Sequence, residues 1–226
     1  MAAANVMVIG GGAVGFNAAS IAIGMEADVF VFDLSIDRLR ELDLAFAGRA
    51  STVYSSTLAI EEMLPRVDLV IGAVLVAGAK APHVIKRDQL KLMQRNAVLV
   101  DVAIDQGGCF ETSKPTTHAD PTFEVDGITH YCVANMPGAV PITSTFALTN
   151  ATLPYALALA DHGVDEAAVR DPGLALGVNV AAGKVTHPAV AEAVGERHAP
   201  VDQALAEVAG AGGDGKAPAA AAAPKS

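Results

Sequence analysis

The first hundred residues alternate short apolar runs with amphipathic stretches. Consecutive apolar residues near 6–10, 28–33, 68–76 and 97–102 predict buried strands, because none of these runs alternates with polar positions. A weaker β-prone run covers 52–54. The stretches between these strands predict helices at 14–25, at 57–64 and within 82–95. A further helix is predicted to begin after Ser35 or Asp37, either of which could cap it. Unalternating strands separated by helices indicate an α/β fold with a doubly wound parallel sheet.

The pattern changes after residue 105. One more strand is predicted at 128–133, followed by a helix over 142–162 in which Pro154 marks a kink or a new start capped by Asn150. A short helix follows at 189–194. Of the 17 residues from Gly210 to Ser226, 13 are Ala, Gly or Pro. The segment therefore has too few bulky side chains for their burial to offset the loss of conformational entropy on ordering. These patterns predict an α/β domain over 1–140, a helical segment over 141–200 and a low-complexity, disordered tail over 201–226.

Composition and charge narrow the class of protein. Fifteen basic against 25 acidic residues give a formal net charge of −10, which argues against nucleic acid and anionic membranes as partners. The mean hydropathy of +0.39 and the uncharged first 25 residues raise the question of a membrane-spanning segment. Glycines interrupt that stretch, however, and it lacks the basic residues with which a signal peptide begins. The two cysteines, Cys109 and Cys132, are too few for a disulfide scaffold and fit a cytoplasmic protein.

A glycine motif carries the most specific chemistry. Gly10, Gly12 and Gly15 fit G-x-G-x-x-G between a predicted strand and a predicted helix, where the helix N-terminus can receive a pyrophosphate. Asp33 ends the second strand 23 residues after Gly10, where a carboxylate accepts ribose hydroxyls and repels a 2′-phosphate. We therefore predict a Rossmann-type domain that binds NAD in preference to NADP. A glycine-rich turn in an unrelated α/β protein is the alternative.

Two further polar residues follow predicted strands. Asp105 stands in a glycine-containing loop after the strand near 98–102, where a carboxylate orients a proton-transfer partner or caps its own turn. Asn135 follows the next strand and either holds a nicotinamide or substrate carbonyl, or forms a turn before Pro137. Position alone leaves both choices open. The six histidines and two cysteines show no metal-ligand spacing, so no metal is predicted.

Several longer runs carry a family resemblance. They cover residues 70–76, 78–82, 101–111, 131–141 and 149–155. With them the chain resembles NAD-dependent alanine dehydrogenase over about residues 5–198, and these runs are far more specific than the glycine loop. The related transhydrogenase subunit shares the fold and the glycine loop, but its loop lacks the acid that Asp105 supplies.

The resemblance implies oxidative deamination of L-alanine to pyruvate and ammonium, with hydride transfer to NAD and Asp105 as the catalytic aspartate. It implies that helices in 141–200 belong to the substrate domain and subunit interface, and that the protein is a homo-oligomer or is completed by a substrate-domain chain. The cofactor-binding positions that it implies are Gly10, Gly12, Ala13, Gly15, Asp33, Arg38, Ser55, Val74, Leu75, Val102, Ala103, Ile104, Lys114, Val133, Ala134, Asn135 and Met136.

The chain departs from the family in three places. Lys114 stands where Arg is frequent, and Ile142 where a basic residue is frequent. The family also places a segment before the glycine loop that holds the substrate-gripping Arg and Lys and a general acid/base His, and the sequence shows no counterpart. We therefore expect NAD binding with little turnover by the chain alone. A non-catalytic NAD(H)-binding module and a transhydrogenase-type domain are the alternatives.

Overall fold

A computed structural model describes residues 2–74 and 82–211. The chain divides into two compact units, with the boundary between Pro141 and Ile142. The first unit holds a seven-stranded sheet, and the second holds helices and a small hairpin. Each unit is described separately below.

The sheet of the first unit is parallel apart from one edge strand. Its strand order is β3-β2-β1-β4-β5-β7-β6, and only the β6–β7 pair is antiparallel. The first five strands of this order follow the 3-2-1-4-5 arrangement of a doubly wound fold. The strands are β1 Asn5–Ile9, β2 Asp28–Asp33, β3 Ala50–Tyr54, β4 Leu69–Gly72, β5 Val98–Asp101, β6 Thr122–Val125 and β7 Ile128–Tyr131.

Among the described residues before β5, three α-helices and two 3₁₀ turns connect the strands. They are α1 Ala13–Gly24, α2 Ile36–Phe46, α3 Thr57–Met63, and the turns Leu64–Arg66 and Arg87–Leu92. Ser35 caps α2 by accepting a hydrogen bond from the amide of Arg38 at 3.2 Å, which decides between the two predicted caps. Ser56 caps α3 in the same way. The doubly wound prediction is confirmed, and the strands place their carboxyl ends along one edge.

Two apolar clusters cover the two faces of the sheet. One packs α1 and α2 onto the sheet through residues such as Val8, Val31 and Leu42. The other lies beneath α3 and the second 3₁₀ turn and includes Met7, Leu99 and Phe110. Alternate residues of each central strand pack into opposite clusters, so the strands are buried on both faces. This explains why their apolar runs do not alternate with polar positions.

The structure differs from the sequence prediction at the far edge of the sheet. The sequence pattern predicted no strand between residues 105 and 128, yet β6 forms there and pairs with β7 through a two-residue turn at Asp126 and Gly127. Both turn residues have positive φ, at 54° and 83°, as a hairpin turn of this length requires. Within 82–95, only the 3₁₀ turn Arg87–Leu92 forms in place of the predicted helix.

The second unit contains four helices and one hairpin among the residues that the structure describes. They are α4 Pro141–Arg170, α5 Pro172–Leu176, the strands β8 Val180–Ala181 and β9 Lys184–Val185, α6 Pro188–Val194 and α7 Val201–Ala211. The predicted break at Pro154 is wrong, because the backbone stays helical there and departs only at Gly163, where φ is 75° and ψ is 170°. Glycine adopts this conformation without the steric cost that other residues meet.

The end of the chain also differs from the prediction. Disorder was expected from residue 201, but α7 covers the first 11 residues of that segment. Ala204 and Leu205 on α7 are buried with Ala168 and Ala181, so apolar contacts hold the helix in its unit. Residues 212–226 lie outside the described part of the chain. Among the helices that the structure describes, none is long and apolar enough to cross a membrane.

Candidate dinucleotide-binding site

The glycine loop lies between β1 and α1 at the carboxyl edge of the sheet. Gly10 has a φ of +101°, and a Cβ there would lie 2.6 Å from the carbonyl oxygen of Ala73, which follows β4. At Gly15, a Cβ would lie only 1.8 Å from the carbonyl oxygen of Gly10. Gly10 therefore permits the tight turn and Gly15 permits α1 to pack against it, as expected for these two positions of the motif.

Gly12 has a different environment from its two neighbours in the motif. Its φ of −64° is open to any residue, and a Cβ at this position would meet nothing within 4 Å. Neither backbone strain nor packing within the described chain explains a glycine here. Close approach of a phosphate to the first turn of α1 does explain it, because a side chain would fill that space. The loop therefore fits a dinucleotide pyrophosphate.

Asp33 lies beside the glycine loop at the end of β2. Its Oδ2 accepts a hydrogen bond from the amide of Gly11 at 2.7 Å, and its Oδ1 accepts one from the amide of Ser35 at 2.8 Å. The Asp33 carbonyl accepts the amide of Ser55 at 2.9 Å, which places Ser55 at the same corner. Each carboxylate oxygen has further acceptor capacity, so Asp33 is placed to receive ribose hydroxyls.

Arg38 also contacts the loop, from the first turns of α2. Its Nε donates to the carbonyl oxygen of Gly11 at 2.7 Å, and its Nη1 forms an ion pair with Glu41 at 2.7 Å. Both backbone groups of Gly11 are thus hydrogen-bonded, the N–H to Asp33 and the C=O to Arg38. The structure brings these predicted residues together with Ala13, the first residue of α1.

The predicted catalytic residue lies on the loop after β5, a strand that pairs with β4. Asp105 is exposed within a one-turn 3₁₀ helix, Ile104–Gln106, while Ala103 and Ile104 are buried. The amide of Val102 donates to the carbonyl of Gly72 at 3.0 Å, and Val74 follows Gly72 toward the glycine loop. Asp105 and the glycine loop therefore emerge from the same edge, as ligand binding in such a sheet requires.

Asp101 was not among the predicted site residues, although its carboxylate accepts more hydrogen bonds than any other in the described chain. Asp101 ends β5, is fully buried, and accepts hydrogen bonds from three backbone amides and from the hydroxyl of Ser113. The available signal was an acid at the end of an apolar run, Val98-Leu99-Val100-Asp101. A buried carboxylate needs such partners because its desolvation is costly.

Three buried titratable side chains lie near Asp101. Burial, followed by the charge of Asp101, raises the pKa of Cys109 to about 12. Burial also raises the pKa of Cys132 and lowers the pKa of His130. Both thiols therefore remain protonated and His130 remains neutral near pH 7. The two thiols therefore have a structural role, since a reactive cysteine needs a lowered pKa and exposure.

The loop after β7 holds the remaining predicted contacts. Val133 is buried, Ala134 and Met136 are half-buried, and Asn135 is exposed. Asn135 has a φ of 57°, and its carbonyl accepts the amide of Gly138 at 2.9 Å. The turn role of Asn135 is therefore present, and its exposed amide lies on a loop at the same sheet edge as Asp105.

One predicted position, Lys114, does not join this group. The ammonium of Lys114 lies 4.4 Å from the ring centre of Phe123 on β6, toward the antiparallel edge of the sheet. It lines a cleft of about 410 Å³ together with residues such as Arg87 and Glu124. Leu75 lies outside the described residues. Across residues 2–74 and 82–211, no group of three or more His, Cys, Asp and Glu side chains is arranged to hold a metal ion.

The sheet order, glycine loop and acidic residue at the end of β2 define a Rossmann-type dinucleotide-binding domain. Residues 1–188 match the family described as alanine dehydrogenase/PNT, C-terminal domain, and the chain belongs to this family. The family and the loop together imply NAD as the cofactor.

Similar proteins agree with this assignment. An alanine dehydrogenase of Halomonas elongata is 61% identical over 195 residues, which are 86% of this chain and 53% of that protein. A solved L-alanine dehydrogenase has a TM-score of 0.76 at 46% identity, over 85% of this chain and 53% of that one. A transhydrogenase structure from Sinorhizobium meliloti shares the fold, with a TM-score of 0.59 at 23% identity, over 65% and 42% of the two chains. The chain thus spans about half the length of the relatives that it matches.

Proposed function

We propose that this chain is the NAD-binding part of an alanine dehydrogenase and carries its catalytic aspartate, Asp105. The observation that carries the proposal is the combination of open space at Gly12 with an adjacent carboxylate, Asp33, held against Gly11. The first supplies room for a pyrophosphate, and the second supplies an acceptor for the adenosine ribose.

The proposed reaction converts L-alanine, NAD⁺ and water into pyruvate, ammonium, NADH and a proton. NAD supplies the hydride acceptor when bound. The exposed carboxylate of Asp105, at the end of β5, is proposed to hold a proton or orient the amino group of the substrate near the nicotinamide. The loops 102–105 and 133–136 are proposed to line that end of the cofactor, with Asp33, Arg38 and Ser55 at the other end.

Turnover needs a grip on the alanine carboxylate, which is normally a bidentate Arg. Arg38 lies at the site edge, but its guanidinium already contacts Gly11 and Glu41. We therefore expect the isolated chain to bind NADH and to form little NADH from alanine. The substrate, L-alanine or pyruvate, would be gripped by residues from outside this chain.

A titration tests both parts of this proposal. NADH fluorescence measures binding by the chain, and absorbance measures NADH formation from alanine and NAD⁺. Binding without turnover supports the proposal. Absence of NADH binding contradicts it, and clear turnover by this chain that is lost in Asp105→Asn would contradict the need for an outside substrate grip. Binding that no substrate-domain partner converts into turnover would favour a non-catalytic NAD(H)-binding module.

A further inference from the structure

The carboxylate of Asp101 joins the two ends of the loop that carries Asp105. Its Oδ1 accepts the amide of Ala103 at 3.1 Å, at the start of the loop. Its Oδ2 accepts the amides of Cys109 and Phe110, at 2.8 and 3.3 Å, at the end of the loop. Oδ2 also accepts the hydroxyl of Ser113 at 2.5 Å. A single buried side chain therefore fixes the span from residue 103 to residue 113.

The backbone between these ends is wound tightly around the carboxylate. The carbonyl of Ala103 accepts the amides of Gln106 and Gly108, at 2.9 and 3.1 Å. Gly108 has a φ of +83°, and a Cβ there would lie 2.7 Å from Oδ2 of Asp101. The loop thus closes over Asp101, and Asp105 occupies its exposed apex without contacting Asp101 through any of these bonds.

The partners of Asp101 in these bonds are all neutral. Three amides and one hydroxyl, rather than a cation, stabilise a charge that is costly to bury. A carboxylate that only filled space would be replaced by an apolar side chain at lower cost. Since all four bonds end on the loop, the arrangement is suited to fixing the loop backbone.

We propose that Asp101 is the positioning residue for the nicotinamide end of the site, acting through the loop that carries Asp105. This inference rests on the proposed function. In the strand order β2-β1-β4-β5, Asp33 and the Asp105 loop lie three strands apart, about 14 Å at the usual strand spacing. A dinucleotide anchored at Asp33 therefore extends its other half over the loop that Asp101 holds.

The test separates the two halves of the cofactor. Asp101→Asn replaces an acceptor oxygen by an amide that faces donors, and Ser113→Ala removes one donor with less disturbance. For each variant of this chain, calorimetry measures the Kd of NADH and of ADP-ribose, which lacks the nicotinamide. We expect the Kd of NADH to rise by about fivefold, the loss typical of one hydrogen-bonding defect, and the Kd of ADP-ribose to stay unchanged.

A matched substitution controls for general effects on the sheet. Asp68→Asn alters a carboxylate that accepts the amide of Asn5 at 2.8 Å, near the opposite ends of β1 and β4. It should leave both dissociation constants unchanged. An equal loss of NADH and ADP-ribose affinity in Ser113→Ala would show a merely structural role and overturn the proposal, as would unchanged NADH affinity in both Asp101→Asn and Ser113→Ala.

A second measurement distinguishes failure of this inference from failure of the proposed function. If the unmodified chain binds neither NADH nor ADP-ribose, the proposed function fails. The loop is then tested through Cys109, a fully buried residue near its end. Labelling by a maleimide, mapped by mass spectrometry, should be faster at Cys109 in Asp101→Asn and Ser113→Ala than in the unmodified chain and Asp68→Asn. Equal rates would overturn the positioning role.

Discussion

The amide of Gly11 donates to Oδ2 of Asp33 across 2.7 Å, so the acid at the end of β2 also holds the glycine loop. This contact links the two sequence features that together indicated a dinucleotide site. We therefore expect Asp33 to affect binding in two ways, by presenting an acceptor to a ribose and by keeping the loop backbone in place.

Replacing Asp33 tests its proposed place in the site. Asp33→Ala should raise the Kd of NADH by about tenfold, since it removes a charged hydrogen-bond acceptor. It should also reduce the difference between the Kd values of NADH and NADPH. Discrimination weakens because the repulsion of a 2′-phosphate is lost. Fluorescence titration with both nucleotides measures the change. Asp37→Ala, at an exposed acid in the first turn of α2, is the control and should change neither affinity. Unchanged NADH affinity in Asp33→Ala would count against the assignment.

Gly12 and Gly15 should respond differently to the same substitution. Gly15→Ala places a Cβ against the carbonyl of Gly10 and should destabilise the fold by about 3 kcal/mol through overpacking. Gly12→Ala enters open space, so the free energy of unfolding should change by less than about 1 kcal/mol while NADH binding weakens strongly. Urea unfolding and NADH titration measure the two effects. Full NADH affinity in Gly12→Ala would show that no phosphate approaches this position.

The parts of the fold that the sequence predicted are those with strong local signals. The apolar runs of β1, β2, β4 and β5 and the glycine motif followed directly from residue type and order. Asp101 was missed because its hydrogen bonds reach residues up to 12 positions away, which no periodicity records. The break at Gly163 was assigned to Pro154 because proline breaks most helix interiors, whereas this helix keeps its geometry through Pro154.

His130 should make stability depend on pH. Its Nδ1 lies 3.0 Å from the carbonyl of Ile128 and its Nε2 lies 2.7 Å from Thr112 Oγ1, which suits the neutral ring, and burial lowers its pKa. Below about pH 6.5 the unfolded chain therefore binds more protons than the folded one, so the free energy of unfolding decreases as pH falls.

Urea unfolding at about pH 7.5 and about pH 5.5 measures this effect. His130→Gln should reduce the difference between the two midpoints, although it lowers both. His118→Gln, at an exposed histidine, should retain the difference seen in the unmodified chain. An identical pH dependence in His130→Gln would assign the effect to other groups.

The first part of α4 should promote self-association. Phe146, Leu153 and Leu157 are 65%, 55% and 54% exposed, and their spacing of seven and four residues places them on one helix face. We expect sedimentation velocity to show species larger than a monomer as concentration rises, because such a face favours burial. The double variant Leu153→Gln/Leu157→Gln should shift the distribution toward monomer.

A control for this experiment is available on another helix. Leu44→Gln changes a leucine on α2 that is 81% exposed, and it should leave the distribution unchanged. A monomer at every concentration, in the unmodified chain as well, would exclude α4 as a site of self-association.

The hairpin of β6 and β7 determines how the sheet ends. Without β6, the strand β7 would offer its unpaired backbone groups to a strand from another molecule. β6 covers that edge with only four residues, among them the exposed Glu124, and a two-residue turn makes the pairing local in sequence. A short strand with an exposed charge is a poor template for further pairing. The Asp126-Gly127 turn therefore protects this edge of the sheet against aggregation.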